Sequence, residues 1–297
     1  MRPSPLAALL PPAMALSCSP GLYVLVARGT FEPPGPGSAG LIPQALANRT
    51  SANITTAPID YPASLTDPAY TQSVQEGGHA VHDAIVNYAS ACPDGKMAIV
   101  GYSQGAQISL DAICGGSGNG FSLIDALPSQ KLDNVVAIVL FGDPSHVANT
   151  TYDRGTSTND GIFSRDSKSI SVCNQYSSRI VSYCDSGDVY CDSGNSNAVH
   201  HGYLANYTDA AVDFILDRFH AASNSSAAPS PLPTTSSSSP SSTVLPVSSS
   251  TAPATSSSSS GPAPSKSGLP VVSLACSNSV TLVYLGLASV VAALVLA

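Results

Sequence analysis

The chain has 297 residues and a formal net charge of -8, and its composition changes sharply near residue 222. All Asp and Glu residues lie at or before Asp217, so the acidic charge belongs to the first part of the chain and offers no basic surface for nucleic acid. One globule over the whole length is excluded, because residues 222–267 hold almost no large apolar side chains.

The first residues have the pattern of a secretory signal. Arg2 is followed by the apolar stretch Leu6-Ala7-Ala8-Leu9-Leu10, and Ala13-Met14-Ala15 resembles a signal-peptidase site, although two prolines interrupt the apolar region. We therefore predict a signal peptide at residues 1–17 and a folded domain at residues 18–221.

Apolar runs and helix-like segments alternate along this domain. The runs predict five strands, at residues 22–27, 54–61, 96–102, 135–141 and 179–183. Helices are predicted at residues 70–91, 104–113 and 205–219. Strands separated by helices need crossover connections, so we predict an α/β fold: a three-layer sandwich with a central, mainly parallel, five-stranded sheet.

A Gly-x-Ser-x-Gly sequence follows the third predicted strand directly and opens a helix, at Gly101-Tyr102-Ser103-Gln104-Gly105. Flanking glycines let the strand and helix approach closely, and the tight turn presents the serine oxygen. We predict that Ser103 is a nucleophile. The N–H that follows a nucleophile on such a turn is placed to stabilise an oxyanion, and here it belongs to Gln104.

A serine nucleophile needs a histidine to take its proton and a carboxylate to orient that histidine. The downstream histidines are His146, His200, His201 and His220. In this fold the acid precedes the histidine, and the acids that follow the last predicted strand are Asp185, Asp188 and Asp192.

Asp188 is our candidate for the acid, because Cys184 and Cys191 bracket it closely enough for a disulfide that would rigidify its loop. Asp143 also ends a strand, but we expect it to cap a turn, and we expect solvated loop roles for Asp185 and Asp192. So short an acid loop leaves no room for a large lid domain, so we expect Ser103 to be open to polymeric substrates.

Cysteine and asparagine patterns indicate an extracellular protein. Six of the seven cysteines lie in the predicted domain, which is compatible with three disulfides. Asn-x-Ser/Thr sequons occur at Asn48, Asn53, Asn149, Asn206 and Asn224.

The tail has two parts. Residues 222–268 are rich in Ser, Thr and Pro, which predicts a disordered and O-glycosylated stalk. Residues 269–297 end in an apolar stretch with no Lys or Arg behind it, which predicts a glycolipid (GPI) anchor signal. Membrane association is therefore expected only through a lipid anchor.

Four ordered segments resemble the cutinase and acetylxylan esterase family. They are Ala27-Arg28-Gly29-Thr30, Gly101-Tyr102-Ser103-Gln104-Gly105, Cys184-Asp185-Ser186-Gly187-Asp188-Val189-Tyr190-Cys191 and His200-His201-Gly202-Tyr203. The resemblance extends from about Cys18 to Phe219.

This resemblance implies a Ser103–Asp188–His200 triad, since His200 rather than His201 matches the histidine of the family's H-x-x-Y segment. It also implies an oxyanion hole formed by Thr30 and Gln104, and disulfides Cys18–Cys92, Cys114–Cys173 and Cys184–Cys191. A monomeric serine esterase without metal or organic cofactor is expected, with a small or polymeric ester as its substrate.

Acetyl esters on xylan-type polysaccharide are the favoured substrate, because the His200 segment and the third cysteine pair look closer to the acetylxylan esterase branch. A cutinase acting on aliphatic polyester is the alternative. A second alternative is a non-catalytic cell-wall or adhesion module carried on the stalk.

Overall fold

The computed structural model describes residues 18–118 and 120–226. The predicted signal peptide, nearly all of the predicted stalk and the predicted anchor signal lie outside the described residues. The last helix continues to Ser226, a few residues past the predicted end of the domain.

The central layer is a parallel sheet. Eight strands are found among the described residues: β1 Leu22–Ala27, β2 Ile54–Pro58, β3 Lys96–Tyr102, β4 Gly116–Gly118, β5 Phe121–Ile124, β6 Val135–Phe141, β7 Asp153–Arg154 and β8 Ile180–Tyr183. Six of them form one sheet in the order β2-β1-β3-β6-β8-β7, and every pairing in it is parallel.

The sheet therefore has one strand more than the five predicted. The extra strand, β7, is only two residues long, Asp153–Arg154, and pairs with the edge of β8. So short a segment has no hydrophobic periodicity, and only its pairing defines it as a strand. The predicted strand at residues 54–61 ends at Pro58, which cannot donate a hydrogen bond to a neighbouring strand.

Helices cover both faces of the sheet. The described helices are α1 Leu41–Arg49, α2 Tyr70–Ala91, α3 Gln104–Cys114, α4 Ser167–Gln175, α5 Asn197–His200 and α6 Tyr203–Ser226. The three predicted helices correspond to α2, α3 and α6, whereas α1, α4 and α5 were not predicted.

Two hydrophobic cores lie on opposite faces of the sheet, as the alternation along β1 illustrates. Leu22, Val24 and Val26 pack in the core with α1 and α6, whereas Leu25 packs in the core with α2 and α3. The central strand β6 is buried at all seven positions, because helices cover it from both sides. These findings confirm the predicted three-layer α/β architecture.

The strand order reverses between β1 and β3. The chain leaves β1 for β2 on one side and then crosses back to β3 on the other side of β1. In open parallel sheets, the crevice beyond the carboxyl ends of the two strands at such a point is where ligands bind. Thr30 follows β1 and Ser103 follows β3, so both candidates lie at this edge.

The described residues contain three disulfides, and these have the pairing that the resemblance implied. Cys18–Cys92 ties the start of the domain to the end of α2, and Cys114–Cys173 ties α3 to α4. Cys184–Cys191 closes the short loop that carries Asp188.

Within residues 18–118 and 120–226, no helix has the length and apolar character that a membrane span requires.

Candidate active site

Ser103 occupies a strained turn between β3 and α3. Its φ of 55° and ψ of -121° lie in a region that L-residues rarely adopt. The two flanking glycines make the turn sterically feasible. A Cβ atom at Gly101 would lie 2.5 Å from the carbonyl oxygen of Gly105, and one at Gly105 would lie 2.0 Å from the carbonyl oxygen of Ala27.

A chain of two hydrogen bonds connects Ser103 to Asp188 through His200. Ser103 Oγ lies 2.9 Å from His200 Nε2, and His200 Nδ1 lies 2.8 Å from Asp188 Oδ2. All three side chains are buried, with the carboxylate fully inaccessible. The structure thus brings together the three residues that the sequence singled out, from β3, the acid loop and α5.

Asp188 is held as a carboxylate by several donors. The backbone N–H groups of Tyr190 and Cys191 donate to Oδ1 at 2.7 and 3.0 Å, and the Tyr203 hydroxyl donates to Oδ2 at 2.6 Å. Burial raises the pKa of Asp188, but the hydrogen bonds and charge of His200 and the bond from Tyr203 together hold that pKa below its ordinary value.

Aromatic residues fix the ring and backbone of His200. The Tyr190 ring meets the imidazole edge to face, with centroids 4.5 Å apart, and the Tyr102 ring lies 5.3 Å away. The Tyr102 hydroxyl also donates to the carbonyl oxygen of His200 at 3.2 Å. The imidazole is therefore restrained before any substrate binds.

Ser103 itself is only 7% exposed, so the expectation of an open nucleophile is wrong for this side chain. Its hydroxyl is engaged with His200 beneath the carboxyl edge of the sheet. An ester group has to reach it from beyond the carboxyl ends of the strands.

The two predicted oxyanion donors follow the neighbouring strands β1 and β3. Gln104 opens α3, so its N–H is one of the first four that lack a partner within a helix. Its side chain is anchored to Ser64 and Ser73, with Nε2 donating to the Ser64 carbonyl oxygen at 3.1 Å. Thr30 is partly exposed and lies three residues past the end of β1, whose Ala27 pairs with Gly101 of β3.

The other candidate histidines have different partners. His201 is exposed, and its Nδ1 contacts the Asn197 carbonyl oxygen at 2.8 Å. His146 is buried with its Nδ1 3.8 Å from Asp153 Oδ1, and His220 is exposed on α6.

The other candidate acids have partners other than His200. Asp143 accepts two hydrogen bonds from Ser145 at 2.8 Å, which is the expected turn-capping role. Asp185 accepts from Thr156 and Tyr207. Asp192 was expected to be solvated, but it is 4% exposed and accepts from the Gly187 N–H at 2.7 Å, so that expectation is wrong.

Two polar side chains of this region have structural roles that the sequence did not predict. Asp192 fastens the acid loop through Gly187, and Tyr203 adds a donor to Asp188. The signal for Tyr203 was its place three residues after His200, which is the spacing of the H-x-x-Y segment. Asp192 had no comparable signal, because its side-chain partners Ser157 and Asn159 are distant in sequence.

Among the residues that the structure describes, no group of three His, Cys, Asp or Glu side chains could hold a metal ion. The parallel sheet, the strained serine turn and the chain of hydrogen bonds to a buried carboxylate define the class of α/β-hydrolases.

Comparison with known proteins narrows this class. Residues 17–219 match the family described as Cutinase. "Cutinase 11" of Verticillium dahliae is 35% identical over 216 residues, which cover 70% of this chain and 72% of that protein. "Acetylxylan esterase 2" of Talaromyces purpureogenus is 33% identical over 207 residues, which cover 67% of this chain and 86% of that protein.

Comparison with a solved structure gives the same family. The catalytic core domain of acetyl xylan esterase from Trichoderma reesei superposes with a TM-score of 0.63 at 33% sequence identity, covering 68% of this chain and 100% of that one. The chain belongs to the cutinase family, and it is a carboxylic ester hydrolase.

Proposed function

We propose that this protein is a serine esterase that removes acetyl groups from xylan-type polysaccharide, with Ser103, His200 and Asp188 as its catalytic residues. The observation that carries the proposal is the pair of hydrogen bonds, 2.9 and 2.8 Å long, that joins the serine on its strained turn to the buried carboxylate through one imidazole.

The reaction follows from this geometry. As Ser103 Oγ attacks the ester carbonyl carbon, its proton moves to His200 Nε2, and Asp188 stabilises the imidazolium. The carbonyl oxygen becomes an oxyanion. We assign its stabilisation to hydrogen bonds from the N–H of Gln104 and from the N–H and hydroxyl of Thr30. Collapse of the tetrahedral intermediate expels the sugar hydroxyl, which takes the proton from His200.

Deacylation repeats these steps with water. His200 removes a proton from a water molecule, whose oxygen attacks the acyl carbon bound to Ser103. The second tetrahedral intermediate collapses to acetic acid, which ionises to acetate, and the Ser103 oxygen regains its proton from His200.

The names of several relatives favour an acetyl ester. These relatives are named for activity on acetylxylan, and they include the proteins of Talaromyces purpureogenus and Trichoderma reesei. "Cutinase 11" has comparable identity, 35%, so hydrolysis of aliphatic polyester is the second candidate.

The testing experiment compares p-nitrophenyl acetate, butyrate and palmitate with acetylated xylan, using the full chain and Ser103→Ala. Preference for acetate, with acetate released from xylan only by the unsubstituted protein, is expected. Preference for butyrate or longer esters would favour the cutinase alternative. A fluorophosphonate probe should label the unsubstituted chain but not Ser103→Ala, and equal labelling of both would refute the assignment of Ser103.

We also propose that the esterase acts outside the cell as a monomer tethered by a lipid anchor. Three disulfides support an oxidising compartment. All five sequon asparagines are exposed, and so accessible to glycans: Asn48, Asn53, Asn149, Asn206 and Asn224. Release of the protein from intact cells by a phosphatidylinositol-specific phospholipase C is expected, and retention after this treatment would contradict the anchor.

A further inference from the structure

Phe31 combines two unfavourable features in one residue. Its side chain is 67% exposed, and its φ of 65° is in the left-handed region, which is unusual for a bulky side chain. A single exposed apolar side chain is ordinary by itself: Leu123, on strand β5, is 68% exposed. Phe31 differs from Leu123 in its strained backbone and in its location.

Neighbouring segments hold the Phe31 turn in place. The Phe31 N–H donates to the carbonyl oxygen of Ala63 at 2.8 Å, and Ala63 also has a positive φ, of 50°. The next residue, Ser64, accepts the hydrogen bond from Gln104 that anchors the start of α3. One loop therefore fixes both the Phe31 turn and the residue that follows the nucleophile.

This turn borders the reactive serine. Phe31 directly follows Thr30, an assigned oxyanion donor. The paired residues Ala27 and Gly101 place the β1 and β3 ends side by side. A Cβ atom at Gly29 would lie 2.9 Å from the ring of Tyr102, so the turn begins against the residue that precedes Ser103.

We propose that Phe31 is a substrate-contact residue whose ring packs on a pyranose ring of the polysaccharide next to the acetyl group being removed. This proposal rests on the proposed function. Ser103 is nearly buried whereas Phe31 is mostly exposed, so the acyl group occupies the deep part of the site and the rest of the substrate passes over Phe31.

A sugar ring is the partner that fits an aromatic side chain at such a rim. The C–H face of a pyranose is apolar and can cover the face of the Phe31 ring, while the sugar hydroxyls stay in water. The free protein leaves the Phe31 ring exposed to water, and covering the ring removes this apolar surface from water. A strained backbone that persists beside a reactive group indicates a functional constraint.

The test compares Phe31→Ala, Phe31→Tyr and the matched control Leu123→Ala, each in the full chain. For Phe31→Ala we expect KM for acetylated xylan to rise about 5- to 10-fold, while kcat/KM for p-nitrophenyl acetate changes less than about 2-fold. Phe31→Tyr should keep most of the activity on xylan, and Leu123→Ala should alter neither substrate.

Binding is measured separately from hydrolysis, in the inactive Ser103→Ala background. Electrophoresis in gels that contain acetylated xylan should show retardation of Ser103→Ala and clearly less retardation of the Phe31→Ala double variant. Retardation of both to the same extent, or of neither, would overturn the Phe31 proposal even if xylan is deacetylated. Retardation that depends on Phe31 without acetate release by the active chain would instead overturn the proposed function.

Two further outcomes would also refute the Phe31 proposal. An equal loss of activity on p-nitrophenyl acetate and xylan would mean that Phe31 maintains the conformation of the Thr30 turn. A loss confined to p-nitrophenyl butyrate and longer esters would assign it to the acyl group.

Discussion

The Tyr203 hydroxyl and His200 Nδ1 both contact Oδ2 of Asp188, at 2.6 and 2.8 Å. The same hydroxyl accepts a hydrogen bond from the Asp185 N–H at 3.0 Å, which orients its own proton toward Asp188. Tyr203 therefore positions the carboxylate and withdraws part of its negative charge.

Replacing this hydroxyl tests that role. Tyr203→Phe should lower kcat about 10-fold with KM nearly unchanged, because the Asp188 carboxylate loses a hydrogen bond that positions it against His200. The pKa of Asp188 should rise, and the more basic carboxylate should attract the protonated imidazole more strongly. The acid limb of the pH profile of kcat/KM should therefore move to higher pH.

Tyr207→Phe is the matched control, because Tyr207 lies one turn further along α6 and donates to Asp185 at 2.7 Å. We expect this variant to keep the pH profile of the unsubstituted chain. The charged and titratable neighbours of the site are otherwise the same in both variants: Tyr102, Asp185, Tyr190 and His201. If Tyr203→Phe lowers the melting temperature but leaves the pH profile in place, Tyr203 only packs the core.

Two adjacent histidines give a sharp contrast. His200→Ala should reduce kcat by about 10⁴-fold or more, since it removes the group that takes the Ser103 proton. His201→Ala should stay within about 2-fold, because His201 is exposed, its Nδ1 contacts the Asn197 carbonyl oxygen, and it meets the His200 ring only at a centroid distance of 5.8 Å. Kinetics with p-nitrophenyl acetate measure both values, and a large loss in His201→Ala would reverse the assignment.

The Cys184–Cys191 disulfide closes the loop that carries Asp188. The double variant Cys184→Ser/Cys191→Ser should lose about 2.5 kcal/mol of unfolding free energy, as the closure of so short a loop implies. Its kcat should also fall, because the Cys191 N–H donates to Asp188 at 3.0 Å and the loop becomes looser. Urea unfolding and steady-state kinetics provide the two measurements.

The double variant Cys114→Ser/Cys173→Ser separates the loss of stability from the loss of kcat. This disulfide joins residues 59 apart in sequence, between α3 and α4. Its removal should cost more stability, about 4 kcal/mol, while the folded fraction keeps its kcat. An equal fall of kcat in both double variants would mean that the loop effect is merely a loss of folded protein.

Local sequence signals were sufficient to predict the central sheet and the turn that carries Ser103. The apolar run Val135–Phe141 and the motif around Ser103 each carry their signal within a few consecutive residues. The two-residue strand β7 and the buried Asp192 could not be predicted in this way. Asp192 is buried by contacts with Ser157 and Asn159, more than thirty residues away, and only the folded chain brings these groups together.

Asp111, on helix α3, and Arg165 form a buried ion pair in which Arg165 Nη1 lies 2.9 Å from Asp111 Oδ1. Burial outweighs the attraction of Arg165 and raises the pKa of Asp111 to about 6 from its ordinary 3.8. The folded protein therefore binds more protons than the unfolded chain between these values, so this group's stabilising contribution is complete below pH 3.8 and is lost as pH rises through 6.

Asp111→Asn removes this titration while keeping the side-chain shape. The unfolding free energy of the variant minus that of the unsubstituted chain should increase by about 2 kcal/mol from pH 4 to pH 7, measured by urea unfolding. Asp192→Asn is the control, because the pKa of Asp192 is shifted in the opposite direction. Although burial raises the pKa of Asp192, hydrogen bonds from Ser157 and Gly187 lower it overall, so its contribution is lost only as pH falls below about 4. A pH-independent difference for Asp111→Asn would mean that Arg165 keeps Asp111 ionised throughout this range.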